Sequence, residues 1–519
     1  MSTIARSWRG RWSRTRLAGW WIVPSLAGCA LLGYLASRGD GLDALLVFLA
    51  IIVIYLMSKC GKAVLAGVVL VAALSGIPLV NMQSLRVRGS FQALDVCAVA
   101  LIAIGTYGLF QNSRRIPVVW SRLLAVSSLG LLLAWAQAVI HAVDSRAPVL
   151  SAALYGRDFL FFAILLPVSP YILSNRRDVF RFAITVAFLT TIFSAGLIAA
   201  SLHLIPKSVV NAYLAHHDGS LIRIYTRMQE LIALGMACSM AYLLLGARRH
   251  RLWVTASLIL CTGAVVVLLT RALYIGLIAG IVACFATWGL GYSGPSARVR
   301  RRLALFVGGI LLVVVALVVL DPAVVNSSAL QAIITRFSAG VENLQGQGSG
   351  SLQLREHLAS FELNLLGGHW LFGLGFLPPS VFYIPQLPSG SVRDVDLGAL
   401  QSVMTMGAVG TVFVYLPIVV ATIKLARPLR AGARRLEWIR LGVYIWLVSV
   451  LASSITLDTL FGETGSLLTA VVLGAVIRVT ALETADVAAT ALAPNAAQVE
   501  SAYARQAGSV SHGISIPTS

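Results

Sequence analysis

Apolar runs of about 17 to 22 residues recur along this chain with only short polar breaks between them, and that recurrence limits what it can fold into. Each run is long enough to cross roughly 30 Å of hydrocarbon as a helix, the local structure that satisfies its own backbone hydrogen bonds there. Composition agrees, because 58% of the residues are hydrophobic, 12% are charged and mean hydropathy is +0.86. A soluble domain carries about 25% charged residues. The chain reads as an all-α polytopic membrane protein with about 14 transmembrane helices, roughly 12 to 14 allowing for weak boundaries. Spans are expected near residues 20–36, 42–57, 63–80, 96–110, 123–142, 159–173, 182–204, 231–246, 253–269, 273–290, 303–320, 397–423, 441–456 and 466–479.

The placement of Lys and Arg sets the expected orientation. With the N-terminus inside, 28 of the 40 basic residues fall in cytoplasmic segments, and 15 of the 20 acids fall outside or at outer span ends. Shifting the parity by one span reverses both biases, so a bacterial-type inner membrane location with both termini cytoplasmic is expected. The basic residues sit in short clusters between spans. The formal charge of +20 is therefore a topology signal, and nucleic acid is not an expected partner. Residues 1–19 read as a basic cytoplasmic start, 20–320 as a bundle of about 11 helices and 321–396 as a large extracytoplasmic loop. Residues 397–481 then supply about three more helices, and 482–519 read as a disordered cytoplasmic tail. Leu26-Ala27-Gly28-Cys29 matches a lipoprotein cleavage box, but the chain stays apolar through Ala36, as an ordinary first span does. The six cysteines lie in or beside apolar runs without the close pairing of a metal or redox site.

Residues 321–396 form by far the longest interruption of the membrane pattern, and long loops on rigid scaffolds tend to carry function. Leu330, Ile333, Ile334, Phe337, Val341 and Leu344 recur at helical spacing, which predicts an amphipathic helix on the outer membrane surface. A Gly-rich hinge at 345–350 precedes a second helical stretch over 351–366. Arg355 opens that stretch, and it closes at Gly367-Gly368 before His369 and the Gly373-Leu374-Gly375 turn. Twelve basic residues remain outside against the sorting rule, among them Arg157, Arg223, Arg271, Arg336 and Arg355. Arg271 is the sharpest, since a charge at a junction between two spans is costly unless it is paired or faces a wet cavity. The bland alternatives are interface snorkelling for Arg271 and Arg223, and pairing with Glu356 or Glu362 for Arg355.

The order of these features resembles the O-antigen ligase and Wzy-type polysaccharide polymerase superfamily. The resemblance rests on an Arg-led helix, a short break, the Gly373-Leu374-Gly375 turn, a span carrying Gly407 and Gly410, and Thr270-Arg271-Ala272 between two tightly linked spans. It covers residues 223–410. In that family the segment entering the span reads His-Asn-x-x-Leu; here Asp396 stands where the His does, and Leu400 where the Leu does. The resemblance implies a GT-C-like glycosyltransferase that joins sugar chains outside the inner membrane. Donor and acceptor are then glycans linked by pyrophosphate to undecaprenol.

Guanidinium groups bind diphosphate oxygens bidentately with little hydration cost, so outward arginines suit a lipid diphosphate leaving group. Arg271 and Arg355 are the expected catalytic arginines, with Arg223, Arg157 and Arg336 around the pyrophosphate. A carboxylate or imidazole must take the acceptor's proton. Asp396 is the candidate base, with Asp394, His357, His369 and the pair His216 and His217 as alternatives. No metal-ligand spacing or phosphate loop appears, so neither metal nor cofactor is expected. Asp396 in place of the His favours polymerase over ligase. A flippase or exporter of lipid-linked oligosaccharide is the alternative of another class; it calls for internal repeats and buried ionisable residues, neither of which is legible in the sequence. A chain-length regulator and a flippase are the further partners the resemblance implies.

Overall fold

A computed structural model describes residues 61–75, 86–88, 91–111, 116–206, 214–218, 221–226, 228–246, 248–268, 270–289, 359–360, 363–377, 398–426, 436–455 and 465–485. The elements begin with α1 (Lys62–Ser75), β1 (Arg86–Arg88), β2 (Phe91–Gln92), α2 (Ala93–Gln111) and α3 (Val118–Asp144). They continue with α4 (Val149–Tyr155), α5 (Arg157–Val168), α6 (Arg176–Ser201), β3 (Leu214–Asp218) and β4 (Leu221–Tyr225). After these come α7 (Gln229–Leu245), α8 (Arg251–Leu268), α9 (Arg271–Cys284), α10 (Gly398–Leu425), α11 (Glu437–Ser453) and α12 (Gly465–Ala485). The described strands form two antiparallel hairpins, β1–β2 and β3–β4.

The helices alternate in direction. Ser239 of α7 meets Ser257 of α8 through their hydroxyls at 3.2 Å, while Trp446 Nε1 of α11 donates to the Glu230 carbonyl of α7 at 3.1 Å. One end of the bundle gathers Lys62, whose Nζ donates to Tyr171 O at 3.4 Å, and Arg478, whose Nη2 donates to Ser174 O at 2.6 Å. The Leu436 amide donates to Glu483 Oε1 at that same end. The opposite end is tied by the Ala399 amide, which donates to Ser454 O at 3.0 Å. The first end is the one that carries the basic clusters expected inside, and the second is the one expected outside.

Five described helices are long and apolar enough to cross a membrane alone: α3, α6, α8, α10 and α12. Four shorter apolar helices overlap further expected spans. The expected spans near 20–36, 42–57 and 303–320, the amphipathic helix at 330–344 and the tail beyond 485 lie outside the described residues. The span expected at 159–173 departs from a straight helix. It begins earlier, as α4, and bends by 58° at Gly156 before α5 continues.

Close packing is clearest between α9 and α11. Gly276 and Gly280 lie one helical turn apart on α9, and a Cβ at either would run into the α11 backbone carbonyl of Ser449 or Ile445. Small residues at this spacing let membrane helices approach through van der Waals packing, where lipid supplies no hydrophobic drive between them. Gly276→Leu should separate the pair and cost about 2 kcal/mol by overpacking. Thermal unfolding of the purified protein checks this, and an unchanged midpoint would rule out the contact.

Candidate functional site

The site begins with a defect in α10. At Gly407 the backbone turns to φ 69° and ψ −175°, so the helix bends and its hydrogen-bond ladder opens. Gly407 lies nine residues from the helix start, about 13 Å into the span by helical rise. Open backbone groups at that depth are tolerated only where protein or a cavity supplies partners. The chain over 370–376 supplies them. Leu374 N donates to Met404 O at 2.7 Å and Gly375 N to Thr405 O at 3.1 Å, while Ala408 N donates to Trp370 O at 2.9 Å and Val409 N to Leu371 O at 3.2 Å. These four bonds replace the helical bonds from residues 408 and 409 to 404 and 405. No side chain fits at the bend, because a Cβ on Gly407 would run into the Leu371 carbonyl.

The same segment is held from the other side by α3. Gly375 has φ +92°, and a Cβ there would come within 2.5 Å of Ala138 O. The next amide, Phe376 N, donates to that carbonyl at 3.2 Å. Gln137 Nε2 lies 2.8 Å from His141 Nε2, and His141 Nδ1 lies 3.1 Å from Gly373 O. Gln137 donates, so His141 Nε2 accepts and Nδ1 carries the hydrogen that reaches the Gly373 carbonyl. His369 packs edge-on against His141, with ring centroids 6.4 Å apart.

Phe376 then wedges into the broken span. Its ring occupies the space a Cβ on Gly156 would need, and it stacks at a tilt on Phe159, centroids 5.6 Å apart. Trp135 Nε1 donates to Gly156 O at 2.9 Å, giving the break at Gly156 a partner from α3. One residue on, Arg157 Nε lies 3.5 Å from Asp95 Oδ1 at the start of α2, with side chains 14% and 5% exposed. This guanidinium is committed to a carboxylate. The pair joins the start of α5 to the start of α2.

Arg271 is the first residue of α9, following Thr270, which stands in extended conformation as its N-cap; the preceding helix ends at Leu268. Arg223 lies in β4 opposite His216 of β3, and β4 packs on α6 and α8. Both backbones therefore belong to the end of the bundle that holds the 370–376 segment. Asp396, Arg355 and Arg336 lie outside the described residues, as do Asp394 and His357; α10 begins two residues after Asp396. His141, Gln137, Trp135 and Asp95 carry little signal in the sequence, because they sit within or beside apolar runs. Their one signal was a polar residue inside a span.

Asp95, Glu230, Glu437, Arg440, Arg478 and Glu483 are buried, and all but Arg478 lie in the first or last turn of a helix rather than at mid-span. Apolar patterning hid them, because each sits within or at the end of a helix that is otherwise apolar. No family model and no curated protein matches this chain.

Two outcomes follow for the site. Gly375→Ala should force strain of about 2 kcal/mol onto the segment, lowering the unfolding midpoint and abolishing any activity of the site. Asp95→Ala should cost about 3 kcal/mol by leaving Arg157 buried without its carboxylate. Asp95→Leu combined with Arg157→Met should recover that stability. If the double variant is no more stable than Asp95→Ala, the pair is not a structural unit.

Proposed function

We propose that this protein is a membrane glycosyltransferase that polymerises undecaprenyl-pyrophosphate-linked oligosaccharide repeats into exopolysaccharide, capsule or O-antigen on the outer side of the inner membrane. The reading includes about fourteen spans, from the recurring apolar runs, and a GT-C-like architecture, as the family resemblance implies. The observation that carries it is the meeting of two motifs. The turn at Gly373 and Gly375 and the helix glycine Gly407, far apart in sequence, form one interlocked unit at the end of the bundle where Arg223 and Arg271 also stand.

In the proposed reaction an acceptor hydroxyl attacks the anomeric carbon of the donor glycan. The bond from that carbon to the diphosphate oxygen breaks, and undecaprenyl diphosphate departs with both bonding electrons. The hydroxyl proton passes to a base, Asp396 in this reading. Arg271 and Arg355 meet the negative charge that grows on the diphosphate, and such charge-assisted bonds gain strength where water is scarce. Arg223 and Arg336 would add charge around the same group. Transfer of the polymer to a lipid A core sugar, the ligase reaction, uses the same chemistry with a different acceptor.

One observation favours a reading of another class. Glu230 on α7 is 4% exposed, with the Trp446 indole beside its carboxylate and no cation paired with it among the described residues. Ionisable groups inside a membrane bundle mark substrate, ion or proton paths, which suits a flippase of lipid-linked oligosaccharide. The two readings separate with purified protein in detergent, where there is no membrane to cross. Conversion of lipid-linked repeats to polymer is expected, and its absence in active preparations would favour the flippase. Arg271→Ala and Asp396→Asn should each lower polymer at least about a hundredfold, at normal membrane abundance. Wild-type polymer in Arg271→Ala would remove that residue from the mechanism.

A further inference from the structure

The other end of the bundle holds an apolar cavity of about 300 Å³ that the proposed chemistry does not use. It lies between α6, α7, α8, α11 and α12, with Ala183, Val186, Leu234, Val254, Val443 and Val472 among its walls. Its size is at the lower limit for sites that take small organic ligands. Phe180 and Ile184, which line it, are 36% and 46% exposed, so it opens at the surface of the molecule beside α6. Trp253 lines the same opening and stacks on Phe188 with centroids 5.8 Å apart. Trp at this position suits a membrane–water interface.

The cavity has a charged mouth. His250 is one of its lining residues, and it belongs to a basic run, Arg248 to Arg251, that leads into α8. Arg251 stands within electrostatic reach of Tyr242, another lining residue. The first turn of α8 contains no acidic residue, so these cations crowd the positive end of a helix, the least favourable place for them. No carboxylate pairs with Arg249 or Arg251 among the described residues. The acids next to lining residues act on other cations: Asp178 on Lys62, and Glu437, with Glu483, on Arg440. Excess positive charge at the mouth and apolar walls behind it match an amphiphile with an anionic head.

We propose that this cavity holds one acyl chain of an anionic phospholipid whose phosphate meets Arg249, His250 and Arg251. The Lys and Arg distribution puts this end in the cytoplasmic leaflet, where anionic lipids draw basic residues near the surface. The site is separate from the outer-end chemistry and does not rest on it.

The test is native mass spectrometry of the purified full-length protein with phosphatidylglycerol or phosphatidylcholine of identical acyl chains. Wild type should retain one phosphatidylglycerol per chain in preference to phosphatidylcholine. Arg249→Gln with Arg251→Gln should lower that preference about tenfold, since each basic residue near the surface contributes separately. Ala183→Phe, which fills the cavity, should reduce retention of both lipids alike. Should Ala183→Phe fail to fold, the arginine pair still decides. Equal retention of both lipids by wild type, an unchanged preference in the arginine variant, or a bound protein chain in place of lipid would each overturn the proposal.

Discussion

Four backbone hydrogen bonds between the 370–376 segment and the bend of α10 hold one end of the bundle together. A transmembrane helix that bends by giving up ladder bonds exposes amides and carbonyls where water cannot reach them, and each such group costs several kcal/mol. Here the lost partners are replaced one for one by the turn over 370–375. Bend and loop are therefore one structure, because neither set of groups is satisfied without the other. Gly407 and Gly375 are required by that interlock rather than by flexibility.

The consequences pass from one span to the next. Once the 370–376 segment is fixed on α10, Phe376 reaches α3 and fills the angle between α4 and α5. The break at Gly156 places Arg157 against Asp95 of α2, so the ion pair is part of how the broken span docks. A buried pair of this kind contributes little net stability over apolar packing of the same volume, yet removing one partner is costly. Its worth lies in fixing where α5 begins.

The apolar helices were legible in the sequence because hydrophobic length is a long-range signal. The tight junction at Thr270 and Arg271 was also legible, since a polar pair between two apolar runs leaves room for little else. The break at Gly156 was not, because Tyr155-Gly156-Arg157 reads as an ordinary loop before a span, and its partners Trp135 and Phe376 come from remote segments. His141 was hidden for a related reason. A histidine inside an apolar run gives no hint that a carbonyl more than two hundred residues away will accept its hydrogen. The glycines of the turn were visible, but the hydrogen-bond exchange that makes them necessary depends on three-dimensional closure that spacing does not reveal.

The central claim is that the interlocked segment faces the side of the membrane opposite the basic loops. Trp370 is 54% exposed at its edge and is a suitable place for a single cysteine in a variant lacking the native six. Labelling with a membrane-impermeant thiol reagent should occur in intact spheroplasts and fail in inverted vesicles. Labelling confined to inverted vesicles would put the segment, with Arg223 and Arg271, on the cytoplasmic face and contradict the account.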